Sequence, residues 1–211
     1  MMKHKLIKVA SMMALGIMLN GLVMINVSAA DIGKLVEGCD YCHGKDGAST
    51  NSKVPIIGGF SAPYMIDAMK TYKNKERPCP EYEYPEGPNK GKKATMCEIA
   101  DDISEGDTKE LANHFAAKPF VRATNQPFDP VLAEKGKVVH EDLCVKCHDK
   151  GGSLPSDDSS ILAGQWMDYT RQALKDYSAG KRPMIKKMEK KYKKLNEEDF
   201  EALVHYFGSF K

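Results

Sequence analysis

Two pentapeptides stand out for what their side chains could do together: Cys39-Asp40-Tyr41-Cys42-His43 and Cys144-Val145-Lys146-Cys147-His148. Two thiols separated by two residues can work as a redox dithiol or as half of a zinc site. They can also reach the two vinyl groups of one porphyrin and form thioethers, and a histidine directly after the second cysteine then offers an imidazole nitrogen to the iron. The first two uses do not need that histidine, and they do not need it twice. The pattern therefore points to two covalently bound haem c groups. Cys39 and Cys42 would hold one and Cys144 and Cys147 the other, with His43 and His148 as axial ligands.

An internal repeat narrows the search for a sixth ligand at each iron. A shift of 105 residues superposes Cys39, Cys42 and His43 on Cys144, Cys147 and His148. It also places Gly59 on Gly164, Tyr64 on Tyr169, Ala68 on Ala173, Tyr72 on Tyr177 and Arg77-Pro78 on Arg182-Pro183. Beyond Pro78 the shift becomes 92, and Met96, Ile103, Asp107, Leu111 and Phe115 fall on Met188, Leu195, Asp199, Leu203 and Phe207. Methionine is the usual partner of histidine in electron-transfer haem sites. Met96 and Met188 are the methionine pair that superposes in this part of the repeat, so they are assigned as distal ligands. Met184 is the competitor to Met188, although its repeat counterpart is Cys79. Met65, Met69 and Met167 read as packing residues, and His114, His140 and His205 as surface or helix residues. Arg77 and Arg182 are the candidate propionate contacts. With His/Met ligation at both irons no coordination position is left for a substrate, which suits single-electron transfer rather than bond chemistry.

The elements that must position these groups are helical. Segments from Ile32 to Cys39 and from Val131 to Cys144 lead into the two motifs. Ala62 to Lys73 shows apolar residues on one helical face, and Trp166 to Ser178 is its counterpart. Ser104 with Asp107, and Asn196 with Asp199, read as helix starts ahead of apolar runs. No segment shows convincing strand alternation. The change of shift leaves 13 extra residues between Pro78 and Met96, in a stretch rich in Pro, Gly, Tyr and Lys and bracketed by Cys79 and Cys97. It reads as a surface loop closed by a Cys79–Cys97 disulfide. The expected fold is all-α, two tandem small helical domains each built around a covalent haem, at 31–118 and 131–211 with a proline-containing linker at 119–130.

Residues 1–30 read as a cleaved signal peptide: Lys3, Lys5 and Lys8, an apolar run to Val27, and small residues up to Ala29 and Ala30. That implies a periplasmic location, with no stable membrane span after cleavage. The segment carries three of the 31 basic residues and none of the 29 acids, so the remainder holds 28 against 29, a net charge of −1. Nucleic-acid binding has no global electrostatic support. A basic cluster does follow the second haem segment: Lys181, Arg182, Lys186, Lys187, Lys190, Lys191, Lys193 and Lys194. Most of it reads as a solvated helix face, and part of it could steer an acidic redox partner.

The stretch FDPVLAEKGKVVHEDLCVKCHDKGG, with ILAGQWMDYTRQALKDYSAGKRPMIKKM after it, resembles the C-terminal haem domain of the dihaem cytochrome subunit of flavocytochrome c sulfide dehydrogenase. The resemblance runs from about Phe128 to the C-terminus and is most specific in ILAGQW and RPMxxKM. The first half is similar more loosely, through CxxCHG and TMCEIA, and departs at the Cys79–Cys97 insertion. The resemblance implies tandem class I cytochrome c domains in a periplasmic heterodimer. A separate FAD-containing subunit would oxidise sulfide, and this chain would take the electrons singly and pass them to a soluble cytochrome or similar acceptor. The flavin would belong to the partner, since no GxGxxG fingerprint is present here. Two other functions fit the same motifs. One is a free-standing dihaem carrier of the cytochrome c4 type feeding a terminal oxidase. The other is a haem enzyme of the thiosulfate-oxidising or peroxidase kind, which needs an open or His/Cys-ligated iron.

Overall fold

The computed structural model describes residues 31–211. Residues 1–30, read above as a signal peptide with a cleavage point near Ala29 and Ala30, lie outside the described residues. Hydrogen bonds within the first turn start most of the helices. Helix α1 (Ile32–His43) begins where the Asp31 carboxylate accepts from the Gly33 amide. Helix α2 (Ala62–Lys73) begins at Ser61, whose hydroxyl accepts from Tyr64 N, with Pro63 in the first turn where a missing N–H costs nothing. Thr95 and Glu98 form a reciprocal capping box at the start of α3 (Met96–Asp102), and Ser104 caps α4 (Glu105–Ala116).

The second half repeats the plan. Asp129 caps α5 (Pro130–Leu143), whose first residue is a proline taken from the stretch read as linker. A single short turn, α6 (Asp149–Gly152), follows the second motif. Then come α7 (Met167–Ser178), α8 (Lys186–Tyr192) and α9 (Glu197–Gly208), the last started by a capping box of Asn196 and Asp199. Among the described residues no helix is long and apolar enough to cross a membrane.

The repeat extends to individual hydrogen bonds. Gly59 N donates to Phe115 O at 2.8 Å, and Gly164 N donates to Phe207 O at 2.8 Å. Both glycines have φ of +79°, a conformation that side chains with a Cβ rarely adopt. That backbone requirement is why glycine recurs at both positions. The first-half core gathers Phe60, Met65, Ile103, Leu111 and Phe115, with Leu35, Val36 and Met69 of α1 and α2 against it. In the second half Ala202, Leu203, Val204 and Phe207 of α9 are buried, and α5 packs across them.

Two local features depart from the sequence expectations. Helix α1 runs through the first motif to His43, whereas α5 stops at Leu143 and the second motif follows in turns. The insertion is closed by the expected Cys79–Cys97 disulfide, with a Cα–Cα distance of 5.7 Å. It also holds a short antiparallel ribbon, β1 (Tyr82–Glu83) with β2 (Lys93–Ala94), too brief to leave an alternating pattern in the sequence.

The α5–α9 crossing depends on the absence of a side chain at Gly136, where a Cβ would collide with the carbonyl of Ala202. Gly136→Ala should force the helices apart and cost about 1–3 kcal/mol. Thermal unfolding of the intact chain reads this as a lowered midpoint, and an unchanged midpoint would show that the crossing tolerates separation.

Candidate functional site

The end of α1 delivers Cys39, Cys42 and His43 to one wall of a cavity of about 1140 Å³. His43 is buried, and its Nδ1–H donates to the carbonyl of Pro55 at 2.9 Å. A carbonyl only accepts, so the proton sits on Nδ1 and the Nε2 lone pair is free for a metal. Burial pushes the His43 imidazole below its ordinary value, although the bond to Pro55 opposes this, and it is neutral at pH 7. Cys39 and Cys42 are free thiols. Burial, then the nearby Asp40 and Cys42, push Cys39 up to about 12, and burial also raises Cys42. Among the described residues no three His, Cys, Asp or Glu side chains group to hold an ion.

Met96 lines the same cavity from another side. Two local ties hold it: the Thr95–Glu98 capping box turns the chain into α3 at this residue, and the next residue is bonded to Cys79.

The second site has the same donors in a different local setting. Cys144 is half-buried, Cys147 is exposed, and His148 is half-buried with Nδ1 3.2 Å from Ser159 Oγ. Burial, against the opposing charge of Lys191, pushes Cys144 up to about 11. Burial and then His140 lower His148. Met188 lies in the first turn of α8 and Met184 just before the helix, and both are half-buried. His140 is only 1% exposed, lies against the rings of Tyr206 and Phe207, and its Nε2–H donates to the His148 carbonyl at 2.8 Å. It is a helix residue that fixes the backbone of a candidate ligand, a role its sequence position did not reveal.

The two halves meet along a seam built from repeat-equivalent residues. Arg77 lies 4.2 Å over the ring of Tyr72, and Arg182 lies 4.6 Å over the ring of Tyr177. The repeat pairs each arginine with the tyrosine five residues before it, and the fold stacks both pairs. Arg182 Nη2 also donates to Tyr64 Oη at 3.4 Å, which joins the halves directly. Burial opposes ionisation of the Tyr169 phenol, yet Arg182 and Arg77 outweigh it and hold that phenol below its ordinary value. Both guanidinium groups are buried, both face the cavity, and neither forms a salt bridge among the described residues. A buried cation without a counter-ion is costly, so this part of the cavity suits an anionic group.

Side-chain to backbone bonds lock the seam. The fully buried Gln165 donates to Ile56 O at 2.9 Å and accepts from Ile56 N at 3.0 Å. Trp166 Nε1 donates to Ser49 O at 2.8 Å, and Ser52 Oγ donates to Asp168 at 2.7 Å. Gln165 and Trp166 close the ILAGQW segment, and nothing in the sequence pattern marks either as a contact between halves.

No protein-family model and no curated protein sequence matches this chain. Solved structures do. The reduced recombinant cytochrome c4 from Pseudomonas stutzeri is similar at 27% identity and a TM-score of 0.67, over 85% of this chain and 96% of that one. The cytochrome c4 of Acidithiobacillus ferrooxidans is similar at 23% identity and a TM-score of 0.64, over 82% of this chain and 99% of that one. The thiosulfate dehydrogenase of Marichromatium purpuratum is similar in fold at 19% identity and a TM-score of 0.64, over 81% of this chain but 36% of that one. The expected all-α, class I cytochrome c-like fold is therefore borne out, in the arrangement that cytochrome c4 also has.

The seam bonds give a direct test. Gln165→Leu removes both partners of the Ile56 peptide and should lower stability by about 2–5 kcal/mol, at the usual penalty for each buried group left unpaired. Denaturant unfolding would show this as a lowered midpoint, whereas a loss under 1 kcal/mol would mean that water replaces the side chain.

Proposed function

We propose that this chain binds two covalent haem c groups and passes single electrons between protein partners in the periplasm. The observation that carries the reading is the composition of the large cavity. Two free thiols, a neutral imidazole with Nε2 available and a methionine thioether border its apolar interior, and two buried guanidinium groups without carboxylates face it. These are the groups that a porphyrin with two vinyls, a central iron and two propionates requires, so the residues present fit haem. When bound, haem supplies an iron that changes oxidation state by one electron.

The chain's own residues do the rest. Cys39 and Cys42, and Cys144 and Cys147, anchor the macrocycles. His43 is oriented by Pro55, and His148 by Ser159 and the His140 bond to its carbonyl. Met96 and Met188 would each offer a thioether to an iron, the second donor beside the histidine. Arg77 and Arg182 would hold the propionates at the seam and neutralise them there. The tyrosines around them keep both arginines in place.

For the partner, the leading reading is an FAD-containing sulfide dehydrogenase subunit, in a heterodimer that hands its electrons on to a soluble cytochrome or similar acceptor. The second-half resemblance from about Phe128 onward supports it. A free-standing carrier feeding a terminal oxidase is the second reading, favoured by the similarity to cytochrome c4 over nearly the whole of both chains.

Measurements on the intact chain test these statements. Mass and pyridine haemochrome analysis should give two haems per chain, and one haem for Cys144→Ser/Cys147→Ser. Met96→Ala and Met188→Ala should each remove half of the long-wavelength ferric band that marks methionine ligation, and loss in Met184→Ala instead would move that ligand. Arg182→Leu should lower a haem reduction potential, because removing a buried cation favours the more positive ferric state. For the partner, co-purification with a flavoprotein, and reduction by sulfide only in its presence, supports the heterodimer. Direct oxidation of the lone chain by a membrane oxidase supports the carrier.

A further inference from the structure

The two halves repeat each other's helices but not their surroundings at the cysteine motifs. In the first half the disulfide-closed insertion, residues 79–97, forms part of the cavity wall. Pro80, Tyr82, Tyr84 and Ala94 line it. Tyr82 Oη donates to Lys53 O at 3.2 Å and ties the ribbon to the loop after the motif. Tyr84 lines the same cavity as the two motif thiols, Cys39 and Cys42. The tip touches the motif itself, since a Cβ on Gly87 would lie 2.6 Å from the ring of Tyr41. Disulfide, ribbon and tip contact together make a tethered cover over the thiol side of the first site.

The second half has no such segment. The chain passes from Pro183 to α8 in two residues, and Cys147 is exposed. The helices that carry the two candidate methionines also differ in charge. Helix α3 holds Glu98, Asp101 and Asp102 and no basic residue. Helix α8 holds Lys186, Lys187, Lys190 and Lys191 against Glu189, whose carboxylate pairs with Lys193 beyond the helix. All four of those lysines are exposed. Lys191 Nζ reaches Asp142 O at 3.5 Å, so the lysine face of α8 lies beside the second motif.

We propose that the two sites have divided roles: the insertion closes the first against protein partners, and an acidic electron-transfer protein docks at the second, on the lysine face of α8 next to Cys147. Electrons from that partner then enter or leave at the second half and reach the first across the arginine–tyrosine seam. This rests on the haem reading above. A shielded thioether edge lengthens the path from an outside donor to the first iron, while the exposed edge beside a cationic face shortens it and speeds encounter with an anion.

The test uses the full, haem-loaded chain, with haem content measured first. Fewer than two haems defeats the haem reading and leaves the geometry of the cover as it is. With two haems present, oxidised flavodoxin, an acidic redox protein, is titrated in at low salt and followed by backbone amide NMR. Shifts should cluster at residues 144–148 and 186–194 and spare 39–43 and 79–97. Charge reversal in Lys186→Glu/Lys190→Glu should weaken binding by roughly tenfold or more, with the difference vanishing at high salt. Replacing residues 81–94 by a short Gly-Ser bridge, with Cys79 and Cys97 retained, should let new shifts appear at 39–43. Shifts at Tyr41 or the insertion in the unaltered chain, or no effect of the charge reversal, would overturn the proposal.

Discussion

Two guanidinium groups, Arg77 and Arg182, are buried between the halves with phenol rings rather than carboxylates around them. Taking a cation out of water costs several kcal/mol unless charge and hydrogen bonds replace the lost hydration. Stacked tyrosine rings recover part of that by cation–π attraction, and a propionate at the edge of the cavity would recover more. The seam is therefore the feature that the binding of an anionic cofactor and the docking of the halves both depend on. It also gives a reason for the repeat to keep arginine and tyrosine together: the ring offers the buried charge a partner at this depth.

Around the seam, the candidate ligands are held by neighbouring groups that are not ligands themselves. Pro55 sets the tautomer of His43, His140 pins the backbone of His148, and the Thr95 cap with the Cys79–Cys97 disulfide fixes the turn at Met96. A ligand to a metal works only at one orientation, so the second layer carries as much of the design as the ligands do. The halves solve this differently. The first motif is rigid because it is the last turn of α1, while the second lies in turns and relies on His140, which has leucine at the matching position of the first half.

The insertion breaks the symmetry that duplication imposed. One half of the repeat retains an open cysteine edge and a basic helix, and the other carries a tethered ribbon and an acidic helix. A duplicated fold starts with two equivalent surfaces, and here an insertion and the changed charges of α3 and α8 make one face distinct from the other.

Much of this was legible in the sequence because it is local or periodic. The CxxCH spacing sets the donor sets by covalent geometry within five residues. The caps at Ser104 and Asn196 are bonds spanning three residues, and α2 lies at Ala62–Lys73 where its apolar spacing put it. The repeat pairs Arg77 with Arg182 and Gly59 with Gly164 in the sequence itself. What only the tertiary structure decided spans the chain: Gln165 on the Ile56 peptide, Arg182 on Tyr64, the insertion tip on Tyr41, and His140 turned inward. Such pairs join side chains to backbone or ring faces far apart in sequence and follow no period. They exist only once helices have packed, because packing is what brings those groups within the few ångströms over which hydrogen bonds and ring contacts act.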